Sequence, residues 1–260
     1  MIQMPKLFVV SDIHGFYNEL CEALDKAGFD ENNENHWLIT CGDHWDRGPQ
    51  PIEVMNYLMN LPRKILCFGN HEQLFKECVE RGYFCSHDIS NGTMETICEI
   101  GGADEGRSFD ECCVIAEQRA KRFLNSMVNY FESEHYVFCH GFLPVNCDDN
   151  LPYYYERNRK FSKKEDWRHA HQYEWDQAMW LNGMKMVMDG IVDDKCIVVG
   201  HYHTSWGRAK LESKPEFGEG ADFSPFYYKD KLIAIDSCCA YSGKLNCLVL
   251  EDDFIDDKST

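Results

Sequence analysis

The sequence predicts an α/β fold built around a largely buried sheet. Three observations carry that expectation. Short apolar runs recur at residues 7–10, 37–41, 64–68, 136–139, 196–199, 231–235 and 246–250. Each has strand length and is enriched in β-branched or aromatic residues, and several are apolar almost throughout, as strands covered on both faces are. Helical patterns separate the early runs, and strand–helix alternation at this period means βαβ units.

The elements follow in order. After the first run, Phe16, Leu20, Ala23, Leu24 and Ala27 repeat at helical spacing and end at Gly28, a C-cap residue. After the second, Pro51 fits the first turn of a helix carrying Val54, Met55, Leu58 and Met59. From about 86 to 134 the alternation stops. Residues 109–131 read as helical, with an apolar stripe through Phe109, Cys112, Cys113, Ala116, Ala120, Phe123, Leu124, Met127, Val128 and Phe131. That stripe suits either core packing or a helical cap over a site. A second irregular region, about 146–194, is dense in aromatics and charges, including Tyr153-Tyr154-Tyr155 and Trp175-Asp176-Gln177-Ala178-Met179-Trp180. It either borders a ligand pocket or covers a flank. No Pro/Ser linker divides the chain and no repeat is visible, so one domain over 1–260 with inserted helices is expected.

Composition narrows the function. The chain of 260 residues has 26 Lys plus Arg against 44 Asp plus Glu, a net charge of −18. That balance disfavours a surface that wraps nucleic acid, which needs clustered cations. A small anionic substrate stays compatible, because bound metal ions reverse the local field of an acidic pocket. An apolar content of 44% with 13% aromatics is globular. The N-terminus carries no long apolar segment, and no stretch approaches the roughly 20 apolar residues of a membrane span. The 14 cysteines are scattered without a CxxC pair, and Cys41, Cys67 and Cys139 sit inside apolar runs. Free thiols in a reducing cytoplasm are the expectation.

The chemistry sits where the runs end. The first closes on Ser11-Asp12-Ile13-His14-Gly15 and the second on Gly42-Asp43-His44-Trp45-Asp46-Arg47-Gly48. The third closes on Gly69-Asn70-His71-Glu72, the fourth on His140-Gly141 and the fifth on Gly200-His201-Tyr202-His203. Carboxyl ends of strands lie along one edge of an α/β sheet, where ligands bind. Oxygen and imidazole donors together suit Mn²⁺, Fe²⁺ or Zn²⁺. Asp12 and His14 are two apart, so on an extended segment they face the same way. Asp43 has two oxygens with which to bridge two ions, while Asn70, His140 and His201 supply donors for a second. Two ions about 3.5–4 Å apart hold a water of lowered pKa and clamp a phosphoryl group.

This ordered set resembles the calcineurin-like metallophosphoesterases. Within them, Gly42-Asp43-His44-Trp45-Asp46-Arg47-Gly48 and Gly69-Asn70-His71-Glu72 are similar to the phosphoprotein phosphatase branch, particularly compact bacterial and bacteriophage serine/threonine phosphatases and diadenosine tetraphosphatases. The late Ile235-Asp236-Ser237 and Gly243-Lys244-Leu245 are similar to the family's closing hairpin. The resemblance implies an αββα sandwich of two mixed β-sheets flanked by helices, with a dinuclear metal site at one edge. It implies Asp12 and His14 on the first ion, Asp43 as the bridge, and Asn70, His140 and His201 on the second. His71 would be the general acid, oriented by Asp46, and Arg47 would bind phosphate oxygens.

Two departures stand out. The phosphoprotein phosphatase branch has Arg before its Gly-Asn-His-Glu; this chain has Phe68, so a phosphate contact is missing or comes from elsewhere, with Arg157, Arg159 and Lys185 as candidates. The second histidine of Gly200-His201-Tyr202-His203 matches the wider superfamily, and His203 is expected as a further metal ligand. His169-Ala170-His171 reads as surface, and Glu251-Asp252-Asp253 with Asp256-Asp257 as a solvated acidic tail. Asp236 reads either as a carboxylate supporting a ligand histidine or as a turn residue.

The expected function is a metal-dependent phosphatase using two divalent ions, manganese foremost with iron or zinc as alternatives. Its substrate would be a Ser/Thr phosphoprotein or a small phosphomonoester. The alternatives are a dinucleoside polyphosphate hydrolase, a phosphodiesterase or nuclease of the same superfamily, and a non-enzymatic phospho-ligand-binding protein.

Overall fold

The computed structural model describes residues 4–148 and 159–255. Strand β1 (Lys6–Val10) leads to α1 (Tyr17–Ala27), which Gly28 closes in the left-handed conformation at φ 80°. Strand β2 (His36–Cys41) leads to α2 (Pro51–Asn60), opened by its proline, and β3 (Lys64–Cys67) leads to α3 (Asn70–Arg81). Helices α4 (Ser86–Asn91), α5 (Thr93–Gly101) and α6 (Phe109–Leu124) come next. Strands β4 (Met127–Val128), β5 (Tyr130–Glu132), β6 (Tyr136–Cys139), β7 (Val145–Cys147) and β8 (Phe161–Lys163) follow. The remainder is α7 (Gln172–Ala178), α8 (Gly183–Met188), β9 (Cys196–Val199), α9 (Thr204–Leu211), β10 (Phe226–Tyr228), β11 (Leu232–Ala234), α10 (Cys239–Ser242) and β12 (Leu248–Glu251).

Two five-stranded mixed sheets form, in the orders β12-β1-β2-β3-β4 and β10-β11-β9-β6-β5, with β7 and β8 pairing separately. In the first, β1 to β4 are parallel and β12 is antiparallel. In the second, β11, β9 and β6 are parallel while β10 and β5 run antiparallel at the edges.

The two-residue period of a strand explains the layering. Leu7 and Val9 of β1 enter the core between the sheets with Ile39, Cys67, Phe138, Val198 and Ile233. Phe8 and Val10 point the other way, into a core shared with Leu20, Leu24, Val54, Leu58 and Phe75 of the helices. On the far side of the second sheet, Val137, Ile197 and Val199 pack against Trp175, Ala178, Met184 and Val187. Both faces of each central strand are therefore covered, which is why the runs read as continuously apolar. The result is the αββα sandwich that the resemblance implied. Among the described residues no helix is long and apolar enough to cross a membrane, and all 14 cysteines are free thiols.

Two expectations need correction, and two open alternatives are decided. The helix predicted over 109–131 stops at Leu124; residues 127–132 form β4 and β5, one at the edge of each sheet. Asn125 and Ser126 break the helix, the Ser126 hydroxyl donating to the Phe123 carbonyl at 2.7 Å, and edge pairing takes over the β-prone residues beyond. The stripe on α6 is core: Cys112, Cys113, Ala116, Ala120 and Phe123 are buried. Of the 146–194 region, the described residues cover a flank, with Trp167 and Trp175 buried and Tyr130 stacked on Trp175 at 4.9 Å, and also reach the site, where the Trp180 carbonyl is 3.2 Å from His201 Nε2; Tyr153-Tyr154-Tyr155 and Arg157 lie outside the described residues. Finally, the closing segment is not a hairpin. Strand β11 belongs to the second sheet and β12 to the first, so the chain crosses between sheets through α10.

Candidate metal centre

Parallel strands end on the same side, so the loops after β1, β2, β3, β6 and β9 converge. Their backbone is unusual. Asp12, His14, Asp43, Asp46, Arg47 and His201 all have positive φ, between 49° and 72°. Asp12 and His14 thus converge through left-handed turns, not through an extended segment as the two-residue spacing suggested. Each such residue costs about 1–2 kcal/mol, and bonds between loops hold them. The Asp12 N–H donates to the Gly42 carbonyl at 3.1 Å, His14 N–H to the Asp43 carbonyl at 3.0 Å, and Gly48 N–H to the His14 carbonyl at 2.7 Å. Close approach also explains the glycines beside the ligands: a Cβ on Gly69 would collide with the Asp43 carboxylate, and one on Gly200 with Ser11 and Asp12.

Asp43 lies at the centre. Its Oδ1 accepts the His71 backbone N–H at 3.0 Å, and its Oδ2 is 3.2 Å from His140 Nε2, 3.8 Å from His14 Nε2 and 3.9 Å from His71 Nε2. Two groups able to hold a cation share this carboxylate, His14–Asp43–His71 and Asp43–His140–His201, with donor atoms within 4.8 Å of one another in each. Asp12 Oδ1 is 3.9 Å from His14 Nε2, and Asn70 Oδ1 is 2.7 Å from His140 Nε2. Backbone carbonyls orient the rings. Trp45 takes the His14 Nδ1 hydrogen at 2.9 Å and Cys41 the His140 Nδ1 hydrogen at 2.7 Å, aiming both Nε2 atoms at Asp43. His201 Nε2 bonds the Trp180 carbonyl at 3.2 Å, which leaves Nδ1 as its donor atom. Buried carboxylates and imidazoles preset in this way suit a pair of divalent ions.

Charge follows the same geometry. Burial and the neighbouring Asp236 push the Asp12 carboxyl up. Burial pushes Asp43 up too, but His140 and His71 outweigh it and hold it well below the usual carboxylate range. Burial opposes charge on His140, yet Asp43 raises it to about 10. Burial and the positive His140 drive His201 down to about 3, while burial, Arg47 and His71 keep His14 well below the ordinary imidazole value.

The expected acid pair is assembled: His71 Nδ1 is 2.7 Å from Asp46 Oδ2, both side chains buried. Arg47 reaches across the site, bonding His14 Nε2 at 2.8 Å and His71 Nε2 at 3.0 Å. His203 is not brought to either group. At the N-cap position of α9 it packs against the Phe217 ring at 4.7 Å, with Nδ1 2.8 Å from the Ser205 hydroxyl and Nε2 3.4 Å from Glu216. Asp236 accepts the Cys238 N–H at 2.7 Å, a turn contact. Phe68 is half-buried with the Lys76 ammonium 5.4 Å from its ring centroid. Of the alternative cations, Lys185 pairs with Asp189 at 2.6 Å and Arg159 lies over the Phe161 ring at 5.3 Å. His169 and His171 are exposed. Asp252 is not solvated: it is buried, bonded by Ser133 at 2.6 Å and His135 at 2.6 Å, while Asp256 and Asp257 lie outside the described residues.

Sequence reasoning missed Glu72. This buried carboxylate accepts the N–H groups of Gly69 at 2.9 Å, Asp43 at 3.0 Å and His44 at 2.9 Å, and lies 3.1 Å from His44 Nδ1. It ties the end of β2 to the start of α3. Its signal was present, since glutamate at the third helical position is a capping residue.

The sequence profile of the calcineurin-like phosphoesterases matches residues 5–216. A symmetrical bis(5'-nucleosyl)-tetraphosphatase of Buchnera aphidicola subsp. Baizongia pistaciae is 38% identical over 66 residues, 25% of this chain and 23% of that protein. The asymmetrical bis(5'-nucleosyl)-tetraphosphatase PrpE of Halalkalibacterium halodurans is 27% identical over 107 residues, 37% of this chain and 42% of that one. The matches thus span less than half the length of these curated relatives. A cold-active protein-tyrosine phosphatase of a psychrophilic Shewanella shares the fold, with a TM-score of 0.55 at 17% identity over 95% of this chain and 76% of that one. With the profile covering most of its length, the chain belongs to the calcineurin-like phosphoesterases.

Proposed function

We propose that the protein is a metal-dependent phosphatase that hydrolyses phosphoesters without a phosphoenzyme. One observation carries the reading: the Asp43 carboxylate belongs to both cation-holding groups, so a single buried charge can join two ions. Asp12, His14 and Asp43 would hold the first and Asp43, Asn70, His140 and His201 the second, with manganese the leading candidate and iron or zinc the alternatives. Bound ions would supply Lewis acidity and a water of lowered pKa. The chain's own groups do the rest. Arg47, a two-pronged donor already facing the site, binds the non-bridging phosphate oxygens. Arg47 donates to His71 Nε2 in the substrate-free site; once it turns to the phosphate and Nε2 takes up a proton, His71 gives that proton to the leaving oxygen, and Asp46 accepts the Nδ1 hydrogen so that the ring keeps its orientation.

The substrate is a Ser/Thr phosphoprotein or a small phosphomonoester. The named tetraphosphatase relatives favour a second reading, a dinucleoside polyphosphate. Free thiols throughout support work in a reducing cytoplasm. One panel separates these: metal-free protein given Mn²⁺, Mg²⁺, Fe²⁺ or Zn²⁺, assayed on p-nitrophenyl phosphate, its bis ester, phosphopeptides and diadenosine tetraphosphate. Hydrolysis of a monoester with Mn²⁺ is expected; no turnover of any substrate under any metal refutes the reading.

A further inference from the structure

The first turn of α5, in the inserted helices, reaches the site. The Thr93 hydroxyl donates to Asp46 Oδ2 at 2.6 Å, the same oxygen that faces His71 Nδ1 at 2.7 Å. One helical turn on, Thr96 Oγ1 accepts the Asp46 backbone N–H at 3.1 Å. Both threonines are buried, at 0% and 2% exposure. Asp46 Oδ1 is buried without a hydrogen-bond partner, so among the described residues Thr93 and His71 alone satisfy this carboxylate. Gly92 allows the approach: its φ is 85°, and a Cβ there would lie 2.5 Å from the Arg47 nitrogen. The Thr93 hydroxyl is not spent on capping its own helix, which no side chain caps.

We propose that Thr93 and Thr96 are positioning residues, which hold the Asp46 carboxylate and peptide so that His71 presents Nε2 to the leaving oxygen of the phosphoester. The proposal rests on the reading of His71 as proton donor. A water oxygen bonds to phosphorus as the ester P–O bond breaks. The electron pair of that bond goes to the leaving oxygen, which takes the Nε2 proton; the Nδ1 hydrogen stays on the ring, donated to Asp46, and the proton shed by the attacking water passes to solvent, from which Nε2 is reprotonated. Without the Thr93 hydroxyl, Oδ2 keeps one donor, the carboxylate is free to rotate toward its unpartnered oxygen, and the ring loses its fixed aim.

The test uses the full chain loaded with Mn²⁺ and two substrates, phenyl phosphate and p-nitrophenyl phosphate. The first has a leaving group that needs protonation and the second one that needs little. Thr93→Val should lower kcat about 10-fold on phenyl phosphate and about 2-fold on p-nitrophenyl phosphate, with KM and bound metal unchanged. Thr93→Ser, which keeps the hydroxyl, should recover most of the loss, and Thr96→Val should follow Thr93→Val. Where Thr93→Val does not fold, Thr93→Ala removes the hydroxyl without adding bulk and answers the same question. Equal losses on both substrates, no loss, or loss of metal would overturn the proposal. His71→Ala distinguishes the causes. If it shows the leaving-group dependence and Thr93→Val does not, only the positioning role fails. If His71→Ala shows none, the acid reading fails and the positioning role with it.

Discussion

Asp43 Oδ2 lies 3.2 Å from His140 Nε2, and the other nitrogen of that ring bonds the Cys41 carbonyl at 2.7 Å. Both ring nitrogens face acceptors, so without a cation the ring carries two protons, in line with its shift up to about 10. A divalent ion on Nε2 must displace one of them. Loading metal into the metal-free protein at pH 7 should therefore release about one proton per chain, and affinity should rise with pH. Calorimetry in buffers of differing ionisation enthalpy measures the release; identical heats in all buffers would contradict it. The sign also bears on the metal-free fold. A histidine raised above its ordinary value stabilises fully below about 6.5 and loses that contribution as pH rises through about 10, so this term should weaken in alkali.

Replacing the shared carboxylate tests the centre itself. Asp43→Asn keeps the shape but removes the negative charge common to both cation-holding groups. Activity should vanish and metal content fall below two ions per chain, read by elemental analysis. Two ions retained at wild-type affinity would mean that Asp43 does not bridge.

Glu72 should prove structural in cause and functional in effect. Glu72→Ala strips three backbone N–H groups and His44 of a buried acceptor. Breaking such a network costs about 3–5 kcal/mol. Thermal unfolding should show a large fall in Tm, and metal content should drop with it, because the Asp43 loop loses its anchor. A variant with native Tm and full metal loading would show that the carboxylate holds nothing.

The contrast between Glu72 and Thr93 marks how far the chain could be read. The central strands were legible because burial on both faces writes a continuous apolar run. The ligand residues were legible because each run ends in Asp, His or Asn beside glycine. Glu72 was partly so, being three residues from the N-cap it serves. Thr93 was not: it meets Asp46 across 47 residues of chain, and no local pattern encodes a tertiary hydrogen bond. The direction of His203 was hidden for a related reason, since residue type says nothing of the rotation that the start of α9 imposes. Strands β4 and β5, two and three residues long, exist only through their pairing partners. Sequence periodicity therefore ran the preceding helix through them.

Phe68 gives the last prediction. It stands where the related phosphatases carry arginine, and on sequence alone Phe68→Arg would restore a phosphate contact. The structure places this residue at the edge of the first sheet. Its N–H donates to the Val128 carbonyl at 2.8 Å, extending the β3–β4 pairing by one residue. With Gln73, Lys76, Leu124, Met127 and Asn129 it lines a groove of about 470 Å³. It also borders a small internal void with Cys139, His140, Trp175 and Met179. An arginine there would lose the ring's packing and set a second cation beside Lys76, whose ammonium is 5.4 Å from the ring centroid. Phe68→Arg should then cost about 1–2 kcal/mol, a fall of roughly 4 °C in Tm for a chain of this size. KM for p-nitrophenyl phosphate should stay within about twofold, since Arg47 already supplies the guanidinium that faces the site. A fall in KM of about tenfold, equal to about 1.4 kcal/mol, would show instead that position 68 reaches the phosphate. Selective weakening of nucleotide substrates would make the ring a stacking platform.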